Sequence, residues 1–204
     1  MELTVPLEVS LMSDILYLLI GKSASGKSTI ATFLEKMYGH KSINSYTTRK
    51  PRYYKEPGHI FVSDDEFDRL GKMAAFRKYD EYRYGATYEQ VQQCDLYIVD
   101  PIGAESLLKN LNGSRPICII YFEAAVSTRI MRMIERGACD HEIIGRLLTD
   151  DTTNDWFREL DKLVWHYKNI EHQDVELHKI DANENIENVL KQVLYYIGKN
   201  EETE

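Results

Sequence analysis

The sequence predicts an α/β protein of three layers, α/β/α, with a parallel central sheet, a small β-rich insert and a helical lid. Three observations carry this reading. Short runs of Val, Ile, Leu and aromatic residues recur at 15–20, 96–99, 117–122 and 176–180, each leading into a segment of helical periodicity. Between about 43 and 84 that alternation gives way to shorter, tyrosine-rich pieces with turns at Pro51 and Pro57-Gly58. From 125 to about 167 the pattern is mostly helical, broken near Gly137-Ala-Cys-Asp140.

Each element follows from its composition. The four apolar runs are nearly continuous rather than alternating, as strands covered by helices on both faces must be. With 204 residues, 43% of them hydrophobic, the chain can bury one sizeable core. The expected organisation is an N-terminal extension over 1–13, a single domain over 14–200 and a disordered acidic tail over 201–204. Within the domain, the core takes 14–42, 85–125 and 165–200, the insert 43–84 and the lid about 126–164. Trp156 and Trp165, nine residues apart, are expected to be packing residues.

Charge narrows the function. A formal net charge of -8 makes the surface repel nucleic acid and anionic membrane, so neither is an expected partner and any anion site must be local. Cys94, Cys118 and Cys139 show neither CxxC spacing nor histidines at metal-site intervals, which fits a reduced, cytoplasmic compartment. No apolar run approaches the length of a membrane span. Monomer and homodimer both remain open.

The first local anion site follows the first strand. Gly21-Lys-Ser-Ala-Ser-Gly-Lys-Ser-Thr29 satisfies G-x-x-x-x-G-K-[ST] at every fixed position, the signature of a P-loop. Gly21 and Gly26 let the backbone across Lys22, Ser23, Ala24 and Ser25 curl so that its N–H groups point inward, and a helix starting near Lys27 adds its positive end. Lys27 can reach β- and γ-phosphate oxygens, and the Ser28 hydroxyl can ligate a bridging Mg²⁺, with Thr29 closing the motif. A nucleoside triphosphate with Mg²⁺ is the expected first ligand.

A second local site lies in the insert. From Lys41 to Lys55 the chain places Lys41, Arg49, Lys50, Arg52 and Lys55 with no acid between them. Arg49 and Arg52 stand three apart around Pro51, which keeps the segment out of helix. Two planar forks on a stiff loop suit a phosphate monoester, although a basic loop can also be plain solvated surface.

Together these features resemble the guanylate kinase family. Its pattern S-x-T-T-R-x-P-R is similar to Ser45, Thr47, Thr48, Arg49, Pro51 and Arg52, and its F-V-S-x-x-E-F to 61–67 after Gly58. Its Y-G-[TS] resembles Tyr84-Gly85-Ala86-Thr87, and its acid-ended strand before Q-G-[AV] resembles 99–104. The resemblance covers roughly residues 15 to 150, in order. It implies ATP-dependent transfer of the γ-phosphoryl group to GMP or dGMP, giving GDP or dGDP and ADP. Arg49, Arg52 and Tyr84 would hold the acceptor phosphate, Ser45 would face guanine O6, and Asp100 would accept from N1–H and the 2-amino group. Asp100 can alternatively cap the following helix, and Tyr84 can be a sheet-face residue.

The chain departs from the family pattern at several points. Ala75 stands where a second base-reading glutamate belongs, no tyrosine precedes Phe61 among His59 and Ile60, and Lys55 takes the place of a glutamate expected after the second arginine. The strand end supplies one carboxylate, with Ile98 on the metal side. In the lid, Arg129, Arg132 and Arg136 share a helical face, and the family's R-x-x-R-G followed by R-L nominates Arg132, Arg136 and Arg146. Arg136 and Arg146 would join Lys27 in catalysis, whereas Arg129 reads as solvated. Asn183 reads as a helix cap or an adenine contact. Three alternatives stay open: a kinase for another base or for deoxynucleotides, a binding module of the same fold without catalysis, and a P-loop ATPase or switch.

Overall fold

The computed structural model describes residues 14–151 and 155–201. The expected N-terminal extension and residues 202–204 of the expected tail lie outside it, while Glu201 ends the last helix. In chain order the elements are β1 (Leu16–Ile20), α1 (Lys27–Tyr38), β2 (Ser45–Thr47), β3 (His59–Phe61), α2 (Asp64–Asp68), β4 (Met73–Tyr79), β5 (Tyr82–Thr87) and α3 (Tyr88–Gln93). There follow β6 (Leu96–Ile98), α4 (Pro101–Leu111), β7 (Ile117–Glu123), α5 (Val126–Glu135), α6 (Asp140–Asp151), α7 (Trp156–Asn169), β8 (Val175–Asp181) and α8 (Ile186–Glu201).

The four apolar runs become one parallel sheet in the order β6-β1-β7-β8. Every residue of β1 is buried, and its alternation divides the core between two faces. Leu16, Leu18 and Ile20 join Leu107 and Leu108 of α4 and Leu160 and Val164 of α7. Tyr17 and Leu19 face the other way, toward Ile30 and Leu34 of α1 and Val189 and Val193 of α8. Each such side chain contributes about 1.5–3 kcal/mol by leaving water, so the strand that leads into the P-loop is held from both sides.

A second sheet, ordered β3-β2-β5-β4, forms the insert. Strands β2 and β3 run parallel, whereas β5 pairs antiparallel with both β2 and β4. Its last strand continues to Thr87, past the boundary expected at 84. Helix α7 likewise runs through the expected lid boundary at 164, and Leu160 and Val164 anchor it to the core. Trp156 packs there too, but Trp165 is 61% exposed, which corrects the expectation that both tryptophans pack. The reason is helical phase: 156, 160 and 164 share the inward face, and 165 has turned off it. Among the described residues no helix is long and apolar enough to cross a membrane.

Candidate active site

The P-loop sits between the end of β1 and α1. At Gly21 an added Cβ would lie 2.7 Å from the Phe122 carbonyl oxygen and 2.9 Å from the Phe122 Cβ, so the loop passes under β7 only as glycine. Gly26 takes the left-handed conformation, φ 103°, at the start of α1, and Ala24 is also left-handed at φ 62°. Lys27 Nζ donates to the carbonyls of Gly21 at 2.6 Å and Lys22 at 3.0 Å, and to Ser25 Oγ at 3.2 Å. Burial lowers the Lys27 pKa to about 8; the Asp150 charge opposes that shift, and Arg129 and Arg136 add to it. The Ser28 hydroxyl is exposed, and Ser28, Thr29 and Arg136 line one shallow cavity.

Arg129, read from the sequence as solvated, is 1% exposed. Its Nε donates to the Ser23 carbonyl at 2.9 Å and its Nη2 to the Asp150 carboxylate. Asp150, near the end of α6, also accepts from the Ser23 backbone N–H at 2.7 Å and from Ser23 Oγ at 3.2 Å. A buried ion pair between α5 and α6 therefore engages both main-chain polar groups of Ser23. Nothing in the spacing of positions 129 and 150 marked them as partners. Arg132, also on α5, places Nη1 3.3 Å from the Ser25 carbonyl and Nη2 3.3 Å from that of Glu184, tying the loop to the turn before α8. Arg146 is half-buried on α6, within electrostatic reach of Glu142 and one helical turn before Asp150, and it does not line the main cavity. Asn183 Oδ1 accepts from Ala125 N at 2.8 Å and Thr128 Oγ1 at 2.9 Å, which is the cap reading, applied to α5.

A cavity of about 460 Å³ joins the P-loop to the insert. Gly21, Ser23, Lys27 and Asp150 line one end, and Ser45, Arg52, Tyr84 and Asp100 the other. Glu56 supplies the glutamate expected after the second arginine, one residue beyond the Lys55 assigned to it. Its carboxylate takes the Arg49 fork at 3.0 and 2.8 Å and the Arg52 N–H at 2.6 Å. That pairing raises the Arg49 pKa and, against its own desolvation, lowers that of Glu56. Arg49 Nε is buried with no hydrogen-bond partner, an orphaned donor of the kind an anion satisfies. His59 lies 2.9 Å from Ser45 Oγ through Nδ1 and meets the Tyr84 ring edge-on at 5.9 Å, so it lines the cavity where the sequence showed no equivalent of the missing tyrosine. Desolvation, then the nearby Arg49 charge, lowers the His59 pKa.

Asp100 caps α4 by accepting from Gly103 N at 2.8 Å. Its other oxygen pairs with Arg77 of β4, a residue the sequence reading did not single out. Positions 75, 77 and 79 share one face of that strand, and this alternation was the available signal. Ala75 is 2% exposed, and Arg77 stands opposite Tyr84 in the β4–β5 register.

No family model matches the chain. A guanylate kinase from Fusobacterium nucleatum subsp. nucleatum is 31% identical over 83 residues, which is 38% of this chain and 45% of that protein. The chain thus spans about half the length of that relative. Among solved structures, guanylate kinase from Anaplasma phagocytophilum superposes over 94% of this chain and 89% of that one, with 18% identity and a TM-score of 0.54. The chain has a guanylate-kinase-like fold. Deoxyadenosine kinase from M. mycoides with bound dATP aligns over 90% of the guanylate-kinase-like chain and 99% of its own, with 13% identity and a TM-score of 0.45.

Proposed function

We propose that this protein is an ATP-dependent nucleoside monophosphate kinase that converts GMP or dGMP to GDP or dGDP. The observation that carries this reading is the single cavity that has the P-loop with Lys27 at one end and Arg52, Tyr84, Ser45 and Asp100 at the other. A hydrolase needs no second phosphate-binding end, and a pure binding module needs no lysine enclosed in a P-loop. ATP takes the loop N–H groups other than that of Ser23, which Asp150 holds, and draws Lys27 off the Gly21 and Lys22 carbonyls. The acceptor phosphate takes Arg52 and Tyr84, which line the cavity, while Arg49, held by Glu56, adds its charge. An acceptor phosphate oxygen then attacks the γ-phosphorus, the bond to the β-phosphate oxygen breaks, and ADP leaves with that electron pair. Lys27 and Arg136 offset the charge that spreads over the moving group, and the geometry, rather than a covalent intermediate, lowers the barrier. Ser28, an exposed residue, fits Mg²⁺ arriving with ATP, which would neutralise the phosphates; position 98, at the end of β6, is an isoleucine and offers no carboxylate.

The test is ADP formation from ATP and Mg²⁺ with GMP, dGMP, AMP, dAMP, CMP, UMP or dTMP against a control without acceptor. The expected result is a rise confined to the guanine acceptors. A rise with another base alone replaces the acceptor, and no rise with any acceptor, ATP binding being intact, overturns the kinase.

Lys27 also sets a pH dependence. ATP favours the ammonium form, and the free protein holds that form only below about pH 8. ATP affinity is therefore full below that value and falls above it, by up to about tenfold per pH unit, until the bound-state pKa is passed. Titration of the protein with ATP from about pH 6.5 to about pH 9.5 checks this, and constant affinity across the range would show that Lys27 does not carry the bound charge.

A further inference from the structure

We propose that Arg77 and Asp100 read the acceptor base as one unit and that their pair selects guanine through N7 and O6 as well as through N1 and the 2-amino group. This rests on the acceptor end of the cavity being a nucleotide site. Arg77 and Asp100 both line that cavity, and their side chains are 26% and 25% exposed. The carboxylate is fixed: one oxygen holds the first turn of α4 through Gly103 N, and the other holds Arg77. The guanidinium is fixed in turn by that carboxylate and by the Tyr79 ring, 5.0 Å from it. A planar fork carries five N–H donors and a carboxylate about four lone-pair sites, so pairing leaves donors on one side and acceptors beside them.

That order is complementary to one purine edge. Along guanine run two acceptors, N7 and O6, and then two donors, N1–H and the 2-amino group. Arginine bidentate to N7 and O6 with a carboxylate on the two donors satisfies all four. Adenine opposes its 6-amino donor to the fork and its N1 acceptor to the carboxylate, leaving buried groups unpaired. Hypoxanthine keeps three of the four matches, and a pyrimidine has no N7. The small side chain of Ala75, two residues along the same strand face, leaves room for the ring system that a longer residue there would narrow. A site built from two carboxylates would ignore N7, whereas this one depends on it. Arg77 thus becomes a specificity-determining residue that supplies, from the same strand face, the recognition Ala75 cannot.

Equilibrium binding to the whole chain tests this without requiring turnover. GMP, 7-deaza-GMP, IMP and AMP are titrated by calorimetry, and ADP formation is followed separately. Loss of N7 is expected to weaken binding about tenfold, and AMP to bind more weakly still. Arg77→Met should bind GMP more weakly than the unaltered protein binds 7-deaza-GMP and should no longer distinguish the two, and Asp100→Asn should abolish the preference of GMP over IMP. Equal affinity of the unaltered protein for GMP and 7-deaza-GMP overturns the proposal, whether or not the variants fold. Turnover without an N7 preference rejects the base reading and keeps the kinase; N7-dependent binding without turnover rejects the kinase and keeps the base reading.

Discussion

Lys27→Ala is expected to lower phosphoryl transfer by about a thousandfold or more while the protein stays folded. The ammonium is enclosed by the carbonyls of Gly21 and Lys22 and by Ser25 Oγ, so in the free protein it is a cation held in place by neutral dipoles. Such burial disfavours the charged form, as the pKa of about 8 records. Removing the side chain therefore relieves a desolvation cost even as it leaves three acceptors without their donor, and the two effects on stability oppose one another. No such offset exists in the reaction, where the charge on the transferring group needs a donor that alanine lacks. Single-turnover ADP formation together with the thermal midpoint checks both halves. Turnover within tenfold of the unaltered protein would remove Lys27 from the reaction; a collapsed midpoint would make it structural instead.

The second large effect concerns stability. Arg129→Leu should destabilise the fold by about 3–5 kcal/mol, because it strands the Asp150 carboxylate, 6% exposed, without its cationic partner. The Ser23 carbonyl also loses a donor, so the P-loop should loosen and ATP affinity fall in the same variant. Replacing both members, Arg129→Leu with Asp150→Leu, removes the stranded charge and is expected to recover much of the stability while leaving ATP affinity low. Urea unfolding of the single and double variants decides this. A loss below about 1 kcal/mol in Arg129→Leu would mean that water or another group compensates Asp150, and the pair would not organise the loop.

Both effects bear on what the sequence could disclose. The strands were legible because their signal is local: an apolar run long enough to be covered on both faces reads the same wherever it pairs. The P-loop was legible because its chemistry fits within nine consecutive residues, from Gly21 to Thr29. Glu56 was nearly legible, missed by one residue because a turn containing Lys55 at φ 58° carries the glutamate inward and the lysine away. Arg129 and Asp150 were not legible, since an arginine on an amphipathic helix looks solvated until a second helix brings an acid to it. Arg77 was hidden differently: no motif position falls on it, and only the alternation of β4 places it on the face that Ala75 also occupies.

The order of strands has one more consequence, for how the nascent chain matures. Strand β1 is made before both its neighbours: Tyr17 pairs with Leu96 and Leu16 with Ile117, so neither partner exists until roughly eighty or more further residues have been added. The insert sheet, by contrast, closes entirely among residues between Ser45 and Thr87. Long-range parallel pairing is slow and local antiparallel pairing fast. The acceptor end can thus assemble during synthesis, while the donor end must wait, with its apolar strand unpartnered, for β6 and β7. A ligand of the P-loop can aid folding only in the last stage, and chains cut short before β7 would present an incompletely paired β1 to chaperones and proteases.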